Sequence, residues 1–357
     1  MKRVKTNDLV PGMILADDVY SYDRSVMILP KGSVLNDKSI TRLAFYTILH
    51  VLIEDEQVGL VEQAKEPSYA ERLRSTPEFQ KFQHDFEEET HQFKDQINDV
   101  VRHNKPLDVE RMMTPVYDLM NQSSGPASVF DMLHSLRNYD DATYVHCINV
   151  SLIASCLAKW MRMSEEDVQI AAQSGLLHDI GKLLIPGEII TKPSKLTADE
   201  YHIVQTHSRQ GYEIIKSLPI NDHIKFATLM HHERCDGSGY PLGLQADQID
   251  LFAKIVAIAD VYDATTSARV YRGPQCPFVA IGLFENEGLQ KYDTKAIMTF
   301  LSNVVNTYLL NRVRLNNGIE GEIVFINPDH LARPTIRTGN SYIDLAQNPD
   351  MYIETII

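Results

Sequence analysis

Between Val129 and about Arg314 the hydrophobic positions fall at helical spacing. Val145, Ile148, Leu152, Cys156, Leu157 and Trp160 recur mostly at steps of three and four residues, which predicts one buried helical stripe. Ser164 followed by Asp167 opens the next helix with a capping pattern, and Glu165 and Glu166 suit its positive end. That helix is expected to deliver His178 and Asp179. Thr197 and Glu200 form a second capping box, whose helix leads to His207. Leu251, Phe252, Ile255, Val256 and Ile258 mark a further buried helix leading to Asp260.

The flanks are patterned differently. Residues 1–58 read as a small β-rich unit with a docking or sensory role. Pro11-Gly12 and Pro30-Lys31-Gly32 punctuate β-prone runs, a helix is expected from Asp37 to Phe45, and Val51-Leu52-Ile53 closes as a strand. Residues 59–125 read as a helical linker. There Phe79, Phe82, Phe86 and Phe93 recur among charged residues, a pattern that fits a connecting helix, a homodimer contact or a solvated helix face. Asn121 to Pro126 breaks the pattern. The helical domain proper is placed at 126–310. From 311 to 357 the chain turns and alternates, and Asn317-Gly318 predicts a hairpin within a short β extension. The fold class is mainly α.

Composition narrows the function. With 44% hydrophobic and 23% charged residues, the 357-residue chain has the make-up of a globular protein. A formal net charge of -14 argues against a nucleic-acid polymer as partner. A small anion stays open, because bound cations reverse a local field. The four cysteines, Cys147, Cys156, Cys235 and Cys276, show no CxxC spacing, and no run of about 18 apolar residues occurs. A reduced cytoplasmic location away from membranes is expected.

The candidate chemistry centres on Leu176-Leu177-His178-Asp179-Ile180-Gly181-Lys182. Imidazole and carboxylate suit a divalent first-row metal. Lys182, one helical turn after His178, is expected on the same face, where its ammonium could hold a phosphate oxygen. Five histidines stand at helix-compatible places: His146, His178, His207, His231 and His232. With Asp179 and Asp260 they supply seven ligands, enough for two metals sharing a carboxylate. Further on, Asp236-Gly237-Ser238-Gly239-Tyr240-Pro241 combines two glycines for a sharp turn with a proline that stiffens its exit.

These stretches resemble, in order, the motifs of the HD-GYP family, bacterial phosphodiesterases within the His-Asp metal-dependent phosphohydrolase superfamily. The resemblance runs from about residue 128 to 310. It rests on His146, on His178-Asp179-Ile180-Gly181-Lys182, Thr206-His207, His231-His232-Glu233 and Asp236 to Pro241. It ends on Ala259-Asp260-Val261-Tyr262-Asp263-Ala264 with Arg269, Tyr271 and Arg272. It implies a helical domain, a binuclear iron or manganese site, and hydrolysis of cyclic di-GMP to pGpG or GMP by a water shared between the metals. One metal would take His146, His178, Asp179 and Asp260, the other Asp179, His207, His231 and His232, making Asp179 and Lys182 the catalytic pair. Lys182, Asp236, Tyr240, Arg269 and Arg272 would bind substrate. The Gly-Tyr-Pro loop would also contact diguanylate cyclases. Some members hold a third metal through a glutamate where this chain has Ala142, so two metals are expected. Two other readings are a cyclic-dinucleotide receptor without turnover and a hydrolase of another cyclic dinucleotide.

Overall fold

The computed structural model describes residues 2–20, 27–46, 48–54, 69–103, 106–121, 125–136, 142–192, 194–267, 275–339 and 341–357. Strand β1 (Lys2–Lys5) pairs antiparallel with β4 (His50–Ile53), and β2 (Val19–Tyr20) with β3 (Met27–Leu29). Helix α1 spans Asp37–Phe45 between β3 and β4, as expected. Leu15, Ile28, Leu35, Leu43, Val51 and Ile53 close a small core of their own.

One short helix and two longer ones lead to the main core. α2 (Tyr69–Arg74) precedes the long α3 (Pro77–His103), which pairs with α4 (Val109–Asn121). Phe79, Phe82, Phe86 and Phe93 turn inward from α3 and are buried within this chain. The apolar stripe is therefore covered by the chain's own helices.

The helical body comprises α5 (Pro126–Ser135), α6 (Ala142–Trp160), α7 (Glu165–Leu177), α8 (Gly187–Ile190), α9 (Ala198–Gln205), α10 (His207–Ile215) and α11 (Asp222–Met230). It continues through α12 (Leu251–Thr266), α13 (Pro277–Leu283), α14 (Leu289–Lys291) and α15 (Thr294–Thr307). The expected caps form. Ser164 Oγ accepts from Asp167 N at 3.1 Å, and Thr197 and Glu200 close a reciprocal box. α6, α7 and α12 pack against one another with Ile148, Leu152, Ala171, Val256 and Ala259 fully buried between them. This triple contact places the ends of several helices on one side of the core.

The C-terminal extension is larger than the hairpin pattern suggested. β5 (Arg312–Leu315), β6 (Glu320–Asn327), β7 (His330–Thr338), β8 (Ser341–Asp344) and β9 (Ile353–Ile356) form an antiparallel sheet ordered β8-β7-β6-β5-β9. Val313, Leu315, Ile323 and Ile336 join the main helical core. Glu285 anchors the sheet by accepting from Leu331 N at 2.5 Å and Ala332 N at 2.9 Å. No helix among the described residues is long and apolar enough to cross a membrane. None of the four cysteines forms a disulfide.

Candidate metal centre

The seven expected ligands face one buried point, all but Asp260 from at or near a helix end. His146 comes from α6, His178 caps the C-terminus of α7, and Asp179 follows it. His207 begins α10, His231 caps α11 with His232 beyond it, and Asp260 lies on α12. His146, His178, Asp179, His207, His231 and Asp260 are buried, and His232 is partly so.

Asp179 divides the cluster. Its Oδ2 lies 3.3 Å from His178 Nε2 and 3.6 Å from His146 Nε2, while Oδ1 lies 3.3 Å from His207 Nε2 and 3.8 Å from His231 Nε2. Asp260 Oδ1 is 3.1 Å from His146 Nε2, and its Oδ2 is 3.9 Å from His232 Nδ1. Ligand atoms gather in two sets with all members within 4.8 Å of one another. The first is His146, His178 and Asp260; the second is Asp179, His207, His231 and His232.

Backbone carbonyls fix how three imidazoles face inward. His178 Nδ1 is 2.7 Å from Gly175 O, His207 Nδ1 is 2.6 Å from Val204 O, and His231 Nδ1 is 3.0 Å from Thr228 O. A carbonyl only accepts, so each Nδ1 carries the proton and each Nε2 presents its lone pair to the cluster. Burial, reinforced by the neighbouring imidazoles, holds His231 well below the ordinary histidine range. Burial likewise lowers His207, against the pull of Asp179, and takes His232 down to about 3. Burial works against ionising Asp179 and Asp260, yet His178 and Lys182 for the former, and His146 for the latter, hold both well below the carboxylate range. Neutral imidazoles with ionised carboxylates make a cation-binding donor set. His178 Nε2 and Asp179 Oδ1 are buried and have no hydrogen-bond partner among the described residues, which is costly unless a ligand takes them up. The residues present therefore fit two divalent cations.

Lys182 departs from its expected place. α7 stops at Leu177, and Ile180–Leu184 is a 3₁₀ helix. Lys182 thereby comes beside Asp179, its Nζ 2.5 Å from Oδ2, rather than stacking one α-turn above His178. The tightening follows from Gly181, where an added Cβ would lie 1.9 Å from His207 O.

The Gly-Tyr-Pro loop arches over the second set. Gly237 holds φ +82°, Gly239 lets the loop press on the backbone of Glu233 and Arg234, and the Tyr240-Pro241 peptide is cis. Tyr240 stacks on His232 with ring centroids 4.6 Å apart. Asp236 is exposed and accepts from Ser238 N at 3.0 Å and Ser238 Oγ at 2.6 Å, so its carboxylate braces the turn. Arg269 and Arg272, expected to meet phosphate, lie outside the described residues, as do Asp140 and Asp141.

Three supporting residues carry no role in the sequence reading. Asp263 Oδ2 lies 2.6 Å from His146 Nδ1, and its Oδ1 accepts from Asn149 Nδ2 at 2.8 Å. Glu233, buried, accepts from Leu242 N at 2.6 Å and Leu244 N at 2.9 Å and so ties down the loop. The signal for Asp263 was its place three residues after Asp260, on the same face of α12.

Residues 125–296 match the HD domain family. Over 144 residues the chain is 43% identical to a cyclic di-GMP phosphodiesterase response regulator of Xanthomonas campestris, covering 40% of this chain and 38% of the relative. It is 40% identical over 138 residues to a cyclic di-GMP phosphodiesterase of Pseudomonas aeruginosa, covering 38% of this chain and 33% of the relative. It is 38% identical over 164 residues to a 3'3'-cGAMP-specific phosphodiesterase of Vibrio cholerae, covering 45% and 37%. The matched segment thus spans well under half the length of each of these relatives.

Proposed function

From the match of residues 125–296 to the HD domain family, we propose that this chain is a binuclear metal-dependent phosphodiesterase of cyclic dinucleotides, with cyclic di-GMP as substrate. The observation that carries the reading is the division of Asp179, with one carboxylate oxygen facing His178 and the other facing His207. A single carboxylate set between two nitrogen-rich half-sites is the arrangement a shared pair of cations requires. Five imidazoles and two carboxylates favour a first-row transition metal such as iron or manganese over magnesium.

Two bound cations would supply Lewis-acid charge and acidify a water for in-line attack on phosphorus. The chain's own groups do the rest. His178, His207 and His231 are held by backbone carbonyls at Nδ1, so that each Nε2 faces the cluster. Lys182, 19% exposed at its side chain, sits at the edge of the cluster, where its ammonium both holds Asp179 and offers charge to a nonbridging phosphate oxygen. Tyr240, its ring packed on His232, offers a flat apolar face to a guanine base. Arg269 and Arg272 are assigned to phosphate on the resemblance alone. Water adds across one P–O bond to give linear pGpG with a free 3'-hydroxyl, and a second addition gives two GMP. The Gly-Tyr-Pro loop, exposed at Ser238 and Asp236, is the surface assigned to a diguanylate cyclase partner.

The test is an oxygen-free purification with metal counted per chain and hydrolysis of cyclic di-GMP and 3'3'-cGAMP measured side by side. Two metals per chain, preferred turnover of cyclic di-GMP, and loss of both in Asp179→Ala are expected. Faster turnover of cGAMP would move the substrate to the hybrid dinucleotide. Full loading with tight binding and no turnover would leave a receptor.

A further inference from the structure

A second polar site lies ahead of the metal centre, between α3 and α4. The two helices border a cavity of about 480 Å³, within the size range of small-molecule sites. Lys81, Asp85, Glu88 and Glu89 line it from α3, and Pro115 and Asp118 from α4. Glu89 is only 2% exposed, and its Oε2 has no hydrogen-bond partner among the described residues. Burial, then the charges of Asp118 and Glu88, push its carboxyl up to about 8. Lys81, the cation lining the cavity, directs its Nζ to Asp85 Oδ2 at 2.6 Å. A buried oxygen without a donor costs on the order of 1–3 kcal/mol, so its retention beside an open, acid-lined cavity points to a missing donor.

We propose that this cavity binds a short aliphatic polyamine, one ammonium donating to Glu89 and another held by Asp118 and Glu88. A metal ion fits less well. Among the described residues no three of these carboxylates bring ligand atoms within 4.8 Å of one another, whereas a chain of ammonium groups bridges acids set further apart. The site is independent of the phosphodiesterase reading but connected to it by packing. α3 and α4 contact α6, and α4 also contacts α7, the helices that present His146 and His178.

Calorimetric titration of the full chain with spermidine at pH 7, in two buffers of different ionisation enthalpy, tests this. Saturable one-site binding with proton release is expected, because Glu89 must ionise to pair with the ammonium. Magnesium chloride titrated alone should give no saturating heat that Glu89→Gln alters, since the metal centre is unchanged in that variant. Glu89→Gln, near-isosteric with the protonated carboxyl and therefore expected to fold, should weaken binding at least about tenfold and abolish proton release. Asp118→Asn, on the exposed wall, should weaken it severalfold and tests the site without touching a buried group. Unchanged affinity in both variants, absence of spermidine binding, or displacement of spermidine by magnesium would each overturn the proposal.

Discussion

His146 places its Nδ1 2.6 Å from Asp263 Oδ2, which turns Nε2 toward Asp260 Oδ1 at 3.1 Å and Asp179 Oδ2 at 3.6 Å. Asp263 is itself braced, accepting from Asn149 Nδ2 and Ser267 Oγ, each at 2.8 Å. The carboxylate fixes the imidazole tautomer and raises its basicity as a ligand. Asp263→Asn keeps the shape but removes the charge and can present an amide donor to Nδ1. We expect metal affinity to fall about 10- to 100-fold with the fold intact, read by chelator competition and circular dichroism. Affinity equal to wild type would mean that Asp263 serves packing alone.

Glu89 makes stability depend on pH. Its carboxyl is raised from an ordinary value near 4.5 to about 8, burial being the main cause. The folded state thus binds the proton more tightly than the unfolded state. The stabilisation is complete below about pH 4.5 and is lost as pH rises toward and through about 8. Glu89→Gln removes this titration. The variant should overtake wild type as pH rises, reaching an advantage of about 2 kcal/mol by pH 9; solvent at the cavity mouth screens the charge and keeps the gain below the full linkage value. Denaturant midpoints at pH 5, 7 and 9 decide it. Parallel curves for the two proteins would refute the buried-acid account.

The helical body was legible because helix ends in this chain are marked by short-range chemistry. Ser164 and Thr197 announce α7 and α9, and apolar steps of three and four residues predict α6 and α12. The seven candidate ligands could be picked out by type and spacing. Their grouping about Asp179 depends on five helices meeting in space, and spacing alone does not supply that. The 3₁₀ turn that moves Lys182 beside Asp179 was not legible either, since it arises where Gly181 meets the backbone of His207. Glu233 and Asp263 escaped for the same reason: each acts on groups brought to it by the fold. At the C-terminus, Asn317-Gly318 marked one hairpin, but the pairing of β9 with β5 joins distant segments.

Glu233 gives the Gly-Tyr-Pro loop its position. Its two carboxylate oxygens take the amides of Leu242 and Leu244, and Gly239 packs against its backbone. Glu233→Ala leaves two amides without their acceptor and opens a gap beneath the loop. A loss of about 2–4 kcal/mol in stability is expected, together with a larger KM than kcat effect as Tyr240 leaves His232. Tyr240→Phe keeps the ring on His232 and should change KM little, whereas Tyr240→Ala should raise it. If Tyr240→Phe proves as damaging as Tyr240→Ala, the hydroxyl rather than the ring contacts substrate.

Gly181 sets the approach of α10 to the turn after Asp179. A Cβ there would lie 1.9 Å from His207 O and 2.5 Å from Gly211 N. Both are backbone atoms, so neither can swing aside as a side chain would. Gly181→Ala must push the start of α10 away from the turn, and His207 moves with it. Overpacking of this kind costs about 1–3 kcal/mol, and here the displaced residue is also a candidate ligand. Metal bound per chain should fall, with the loss confined to the set of His207, His231 and His232, because His146 and His178 sit on the other side of Asp179. Half-occupancy measured on folded protein would match that asymmetry. Loss of both metals together would show instead that the two half-sites load only as a unit through Asp179.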